Sequence, residues 1–204
     1  MTEPKAERAE LRKQKVLAAT LRLLARGGPR SVTHRAVAEE AGTSLRATTY
    51  YFSSREELLS EAFLHYANGA LARIEALELP LPEDPEQALE AASRMLAMTL
   101  LSDLTQDRVG LVAEYEWVLE IGRQEIEGAP ALEAAYGRFQ SRLMTILEGH
   151  GQRMHARNPH SDARLVLATL RGLEVECLAQ PSSPPSLDEI VAIFRRLLAA
   201  LAVH

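Results

Sequence analysis

An all-α protein of about nine helices is the fold class that the sequence predicts, on three observations. Apolar residues recur at helical spacing, as in Val16, Leu17, Leu21 and Leu24 on one face of the first periodic stretch. No alternating run long enough for a strand interrupts the pattern. Helix start and stop signals divide the chain into segments of ordinary length.

The elements follow in order. The first helix is expected over about Glu7 to Arg26, stopped by Gly27-Gly28-Pro29. A second starts at Thr33, turns Val37, Ala38 and Ala41 inward, and ends at Gly42, where a turn needs positive φ without a Cβ penalty. Ser44 caps a short third helix. Ser53 with Glu56 reads as a capping box for a fourth, reaching about Leu77. Pro80, Pro82 and Pro85 form the clearest boundary. Asp84-Pro85 opens a fifth helix to about Leu101, a sixth covers roughly Arg108 to Arg123, and a seventh about Pro130 to Glu148. The stretch "GHGQRMHARNPH" reads as a polar loop, with Ser161 capping an eighth helix to about Ala179. After "PSSPPS", Ser186 and Glu189 form a capping box for a ninth, ending near Ala202.

Composition narrows the function classes. The single cysteine, Cys177, excludes an intrachain disulfide and any cysteine-rich zinc site, and fits a reducing cytoplasm. No apolar run approaches the roughly 20 residues of a membrane span, and the charged N-terminus lacks an apolar signal region. A cytoplasmic protein without membrane contact is therefore expected. His150, His155 and His160 recur every five residues, a spacing that does not align them on a helix, so no metal site is expected. "GHGQRM" lacks the third glycine and preceding strand of a phosphate loop, and no nucleophile, zinc or redox motif occurs. Neither cofactor nor enzymatic activity is expected.

The formal net charge of −5 hides an asymmetry. Residues 1–60 carry eleven Lys/Arg and seven acids, while the remainder carries twelve and twenty-one, a basic end on an acidic body. Such a distribution points to nucleic-acid contact.

The segment 31–59, "SVTHRAVAEEAGTSLRATTYYFSSREELL", localises it. Two short helices joined by a glycine turn form a helix-turn-helix pattern, with small Ala38 where the helices cross closely. On the third helix Thr48 and Phe52 lie four apart and share the inward face, which turns Leu45, Arg46, Thr49 and Tyr50 outward. A recognition helix needs such side chains to reach base edges. Arg46 can donate a bidentate pair to guanine, and Leu45 or a threonine methyl can touch a thymine methyl. Tyr50, Tyr51 and Arg55 are expected to donate to phosphates, as are the free amides at the start of the second helix, with Thr33 and His34.

"VTHRAVAEEAGTSLRATTYYFSSREELLSEAF" resembles the DNA-binding segment of the TetR/AcrR family of transcriptional regulators. The positions that carry the resemblance are Thr33, Ala38, Ala41-Gly42, Ser44, Tyr51-Phe52 and Arg55, and "KVLAATLRLLARGGPRSV" is similar to the family's opening helix. The match covers about residues 10–65. The family often has Lys-Gly-Thr where this chain has Leu45-Arg46-Ala47, an aromatic where it has Thr49, and lysine where it has Arg55. These departures touch base-reading positions and leave the operator sequence unspecified. The resemblance implies an N-terminal three-helix helix-turn-helix domain over residues 1–55 and a larger helical ligand-binding and dimerisation domain over 56–204. It further implies a homodimer binding a palindromic double-stranded operator and answering a small-molecule effector, most simply as a repressor. An α-helical ligand-binding or interaction protein with a degenerate helix-turn-helix is the alternative.

For the effector, the sequence offers Met95 and Met98 as flexible lining, Tyr115 and Trp117 as large side chains with polar handles, and Val118 beside them. Glu114 sits among Leu111, Val118 and Ile121 at helical spacing, and Glu174 among Leu167, Leu170 and Leu178. A carboxyl group on an apolar face must find a partner or a ligand. Pairing with Arg123 or Arg171, or an edge position reaching water, is expected, with a cationic effector near Glu114 as the sharper reading. For dimerisation, the broad apolar faces of the last two helices supply Leu165, Leu173, Cys177, Phe194, Leu197 and Leu201.

Overall fold

The computed structural model describes residues 5–77, 81–123, 129–153 and 157–202. Pro80 and His155 lie outside them. Nine α-helices are present among the described residues, as the all-α reading expects. They are α1 (Lys5–Gly27), α2 (His34–Glu40), α3 (Leu45–Tyr51), α4 (Arg55–Leu77), α5 (Pro85–Thr105), α6 (Arg108–Arg123), α7 (Ala129–Arg153), α8 (Pro159–Ala179) and α9 (Leu187–Leu201). A 3-10 turn, Pro29–Ser31, follows α1.

Several boundaries differ from expectation for local reasons. The start of α4 is capped one residue later than expected. Ser54 Oγ accepts the Glu57 N–H at 3.1 Å, and Glu57 reaches back to the Ser53 N–H at 2.6 Å. Helix α8 starts from Asn158, whose side chain accepts the Ser161 N–H, with Pro159 in the first turn, so Ser161 is not the cap. Helix α7 continues through Gly149 and Gly151 to Arg153, where a loop was expected. Each glycine costs about 1 kcal/mol in a helix, but His150 between them is buried at 6 % exposure, and packing outweighs propensity.

The chain forms two compact units, residues 1–69 with 108–138, and residues 70–107 with 139–204. In the first, α6 and the 3-10 turn pack against α1, and α2 packs on α1 and α3. Its buried residues include Val16, Leu17, Leu24, Phe52, Phe63 and Trp117. In the second, α5 packs along α9 and α8. Leu96, Leu100, Val166, Leu173, Ile190 and Phe194 lie in its core.

Candidate functional site

The helix-turn-helix is built from caps inward. Thr33 Oγ1 accepts the Ala36 N–H at 3.1 Å and starts α2. Gly42 adopts φ 61° after α2, and the Thr43 N–H returns to the Ala38 carbonyl at 2.9 Å, closing the helix with a left-handed residue. Ser44 Oγ accepts the Ala47 N–H at 3.2 Å and starts α3. Thr48 and Phe52 are buried, so the face of α3 is set as their spacing requires. Thr48 Oγ1 donates to the Leu45 carbonyl at 2.8 Å, which removes its hydroxyl from any surface role.

The opposite face is exposed. Leu45, Arg46, Thr49 and Tyr50 all point outward, with Tyr50 82 % exposed and its ring edge-on to half-buried Tyr51 at 5.4 Å. Thr49 Oγ1 donates to the Leu45 carbonyl at 3.1 Å, leaving its methyl and oxygen lone pairs outward. Ala47 is half-buried. His34 is half-buried with its Nδ1 enclosed and without a partner among the described residues. Arg35, exposed in the first turn of α2, was not among the residues that the pattern singled out. Its position beside the Thr33 cap was the available signal.

Arg55 requires a correction. Its Nε–H donates to the Val32 carbonyl at 2.9 Å and its Nη2–H to the Pro29 carbonyl at 2.5 Å. The guanidinium at the start of α4 is thereby committed to the turn between α1 and α2, and is not the outward phosphate donor that the sequence suggested. The basic excess is also partly internal. Arg22 pairs with Glu40 at 2.7 Å, Arg26 pairs with the same carboxylate, and Lys13 pairs with Glu61 at 3.0 Å. The hydrogen bonds from Arg22 and then Arg26 hold the Glu40 carboxyl below its ordinary range.

The expected effector residues divide between the units. Glu114, Tyr115, Trp117 and Val118 lie on α6 in the first; Met95, Met98 and Glu174 lie in the second. Glu114 is 4 % exposed and accepts a hydrogen bond from the Tyr66 hydroxyl at 2.6 Å. Arg123 pairs with Glu120 at 3.7 Å. Around Glu114 stands a cluster of rings. Trp117 meets Phe63 edge-on at 5.1 Å and Tyr66 at 6.4 Å, and Phe63 meets Tyr136 at 5.9 Å. Tyr115 and Val118 are half-buried. Phe63, Tyr66 and Tyr136 escaped the sequence reading because only the fold brings α4 and α7 to α6. Helix α6 also approaches the 3-10 turn closely. A Cβ on Gly28, which has φ 65°, would stand 3.1 Å from the Glu116 carboxylate.

In the second unit Met95 lines a cavity of about 50 Å³ with Leu147, His150, Asp162, Leu198 and Leu201. Met98 is 46 % exposed and does not line it, and Glu174 is buried on α8. His150 Nδ1 stands 2.8 Å from an Arg153 nitrogen, and since guanidinium only donates, Nδ1 accepts. His160 contacts Glu148 at 2.6 Å, and no group of three or more metal-ligating side chains occurs among the described residues. No described helix is long and apolar enough to cross a membrane.

Three expected dimer residues turn inward. Phe194, Leu173 and Cys177 are all buried within their own chain, with Phe194 and Leu173 in the core between α5, α8 and α9. Leu197 and Leu201 are half-buried against the same core. Apolar or small residues exposed on these helices include Leu165, Ala168, Gly172 and Val175 along α8, and Ala192 and Ile193 on α9. Burial pushes the Cys177 thiol up from its ordinary value, which leaves it a weak nucleophile.

Known proteins resemble this arrangement throughout. A nicotine-responsive transcriptional repressor, HdnoR of Paenarthrobacter nicotinovorans, is 23% identical over 181 residues, covering 87% of this chain and 89% of that protein. The crystal structure of a transcriptional regulator from Rhodococcus sp. Rha1 superposes with a TM-score of 0.75 at 22% identity, over 93% of this chain and 95% of that one, which speaks to the fold. The multidrug binding protein EbrR, solved with ethidium, superposes with a TM-score of 0.66 at 27% identity, over 95% and 99% of the two chains. Residues 16–62 match the family described as "Bacterial regulatory proteins, tetR family", and residues 83–200 match "Tetracyclin repressor-like, C-terminal domain". With its helix-turn-helix and more than half of its length accounted for in this way, the chain belongs to the TetR family of ligand-responsive transcriptional regulators.

Proposed function

We propose that this regulator represses transcription from a palindromic operator as a homodimer, and that a small aromatic cation bound at Glu114 releases it. Residues 1–55 serve as the DNA-binding part and residues 56–204 as the ligand-binding and dimerisation part, in the cytoplasm. Leu45, Arg46, Ala47 and Thr49 face the bases. Thr33, His34, Ser44, Tyr50 and Tyr51 contact the backbone. The outward stripe of α8 and α9 pairs with its copy.

The observation that carries the effector reading is buried Glu114 accepting from the Tyr66 hydroxyl, with the Tyr66 ring in turn meeting Trp117, and Trp117 meeting Phe63. A carboxylate held in an apolar, ring-lined surrounding favours a cation beside it. An aromatic cage attracts cations by about 2 kcal/mol or more once water is excluded. Nicotine, to which HdnoR responds, and ethidium, with which EbrR is complexed, carry that chemistry. The cluster and the helix-turn-helix belong to one compact unit, with α6 packed on α1 and the 3-10 turn. A ligand that favours one placement of α6 therefore shifts the population of recognition helices by its differential affinity.

The test is retention of a DNA fragment from beside the chain's own gene. Nicotine at millimolar concentration should release wild-type protein, and benzylammonium should do so more weakly. Glu114→Gln should bind the fragment equally well and resist both. Release of the variant at the wild-type concentration removes Glu114 from the effector site.

A further inference from the structure

We infer that Trp117 makes the effector site two-ended: its indole N–H selects cations that also carry a hydrogen-bond acceptor, with Glu114 holding the charge. The inference rests on Glu114 as the anchor and adds a second determinant that the carboxylate cannot supply.

Trp117 is fully buried, and its Nε1 has no hydrogen-bond partner among the described residues. Buried donors are nearly always satisfied, because an unpaired one forfeits its hydration without return. The indole nitrogen donates and cannot accept. An ammonium group cannot complete it, and an aromatic face does so only weakly; a lone pair completes it in full. The nearest rings do not meet the need. Phe63 lies T-shaped at 86° and offers at most a weak π acceptor, and the Tyr66 hydroxyl is directed to Glu114. Phenylalanine at position 117 would fill much of the same space without stranding a donor.

Glu114 and Trp117 lie three residues apart on α6, so their Cβ atoms are about 5–6 Å apart on one helix face. One small molecule can engage both. The two ends are not interchangeable, since the carboxylate accepts and the indole donates, so the pair fixes the ligand's orientation. The class of ligand is a compact aromatic or heteroaromatic amine with a pyridine-type nitrogen, carbonyl or ether oxygen a few bonds from its cationic centre.

Two probes that differ by one ring atom test this, 3-picolylammonium and benzylammonium. Calorimetry on the full-length protein should show the picolyl compound binding about 2- to 10-fold more tightly, the range expected of one neutral hydrogen bond. Trp117→Phe should bring that ratio to about one, while weakening both probes somewhat because a smaller ring replaces the indole in the cage. Glu114→Gln should weaken both probes alike and preserve the ratio. Trp117 is the only tryptophan of the chain, so its indole N–H gives a single resonance in a nitrogen-15 spectrum of the unmutated protein. That resonance should move downfield with the picolyl probe and much less with benzylammonium, a readout independent of whether the variant folds. Equal affinities in the wild type, a ratio that survives Trp117→Phe, or identical resonance shifts would overturn the role of Trp117 while leaving Glu114 in place. Benzylammonium affinity unchanged by Glu114→Gln, or no binding of either probe at millimolar concentration, would overturn both.

Discussion

Arg46 and Arg55 are nine positions apart, and their surroundings separate their roles. Arg46 is exposed at the start of α3. Arg46→Ala should cost about 1–3 kcal/mol of discrimination at one operator position, checked by binding to operators varied base by base, with the melting temperature unchanged. Arg55 is half-buried and ties α4 to the carbonyls of Pro29 and Val32. Arg55→Ala should destabilise the protein by about 1–3 kcal/mol, read from denaturant unfolding. DNA affinity should then fall for all sequences alike, as a consequence of the lost turn. Arg55→Lys should not restore it, because an ammonium group cannot span two carbonyls as the planar fork does.

At the scale of elements, short helices depend on their ends. Helix α3 has seven residues, and an isolated helix below ~12 residues does not persist in water. Its order comes from the buried Thr48 and Phe52 and from the Ser44 cap. Ser44→Ala should cost about 1 kcal/mol and Ser44→Gly only a few tenths, measured by urea unfolding, with operator affinity falling in the same order. The cap carboxylates add a pH dependence. Hydrogen bonds from the Ser53 side chain and backbone hold Glu57 below its ordinary value of 4.5, and those from the Ser186 backbone and side chain do the same for Glu189. Glu40 is lowered by Arg22 and Arg26. A depressed carboxyl contributes stability above the unfolded value and loses it as pH falls through the folded one. Melting temperature should therefore fall as pH drops below about 4.5, and Glu57→Gln with Glu189→Gln should flatten part of that decline.

For the whole molecule, adjacent residues on α9 have opposite fates. Phe194 is fully buried in the core, while Ile193 is 38 % exposed, and Leu165 and Val175 of α8 are exposed as well. Leu165→Glu with Ile193→Glu should shift the protein from dimer to monomer in sedimentation and weaken operator binding. Phe194→Ala should cost about 3–5 kcal/mol in unfolding by opening a cavity in the chain's own core. A double glutamate variant that stays dimeric would move the interface elsewhere.

The sequence by itself determined the helices, the turn at Gly42 and the outward face of α3. Periodicity, caps and a glycine with positive φ act over a few residues, and Thr48 and Phe52 set the face by their spacing alone. Tertiary structure decided what could not be local. The partner of Glu114 is Tyr66, 48 residues earlier, and the Arg55 guanidinium finds carbonyls 23 and 26 residues away. The apolar breadth of α9 marked both a core face and an outer stripe, and only packing against α5 and α8 determined which residues went to which. Periodicity records which residues share a side of a helix, and the free energy of burial against distant segments settles what that side meets.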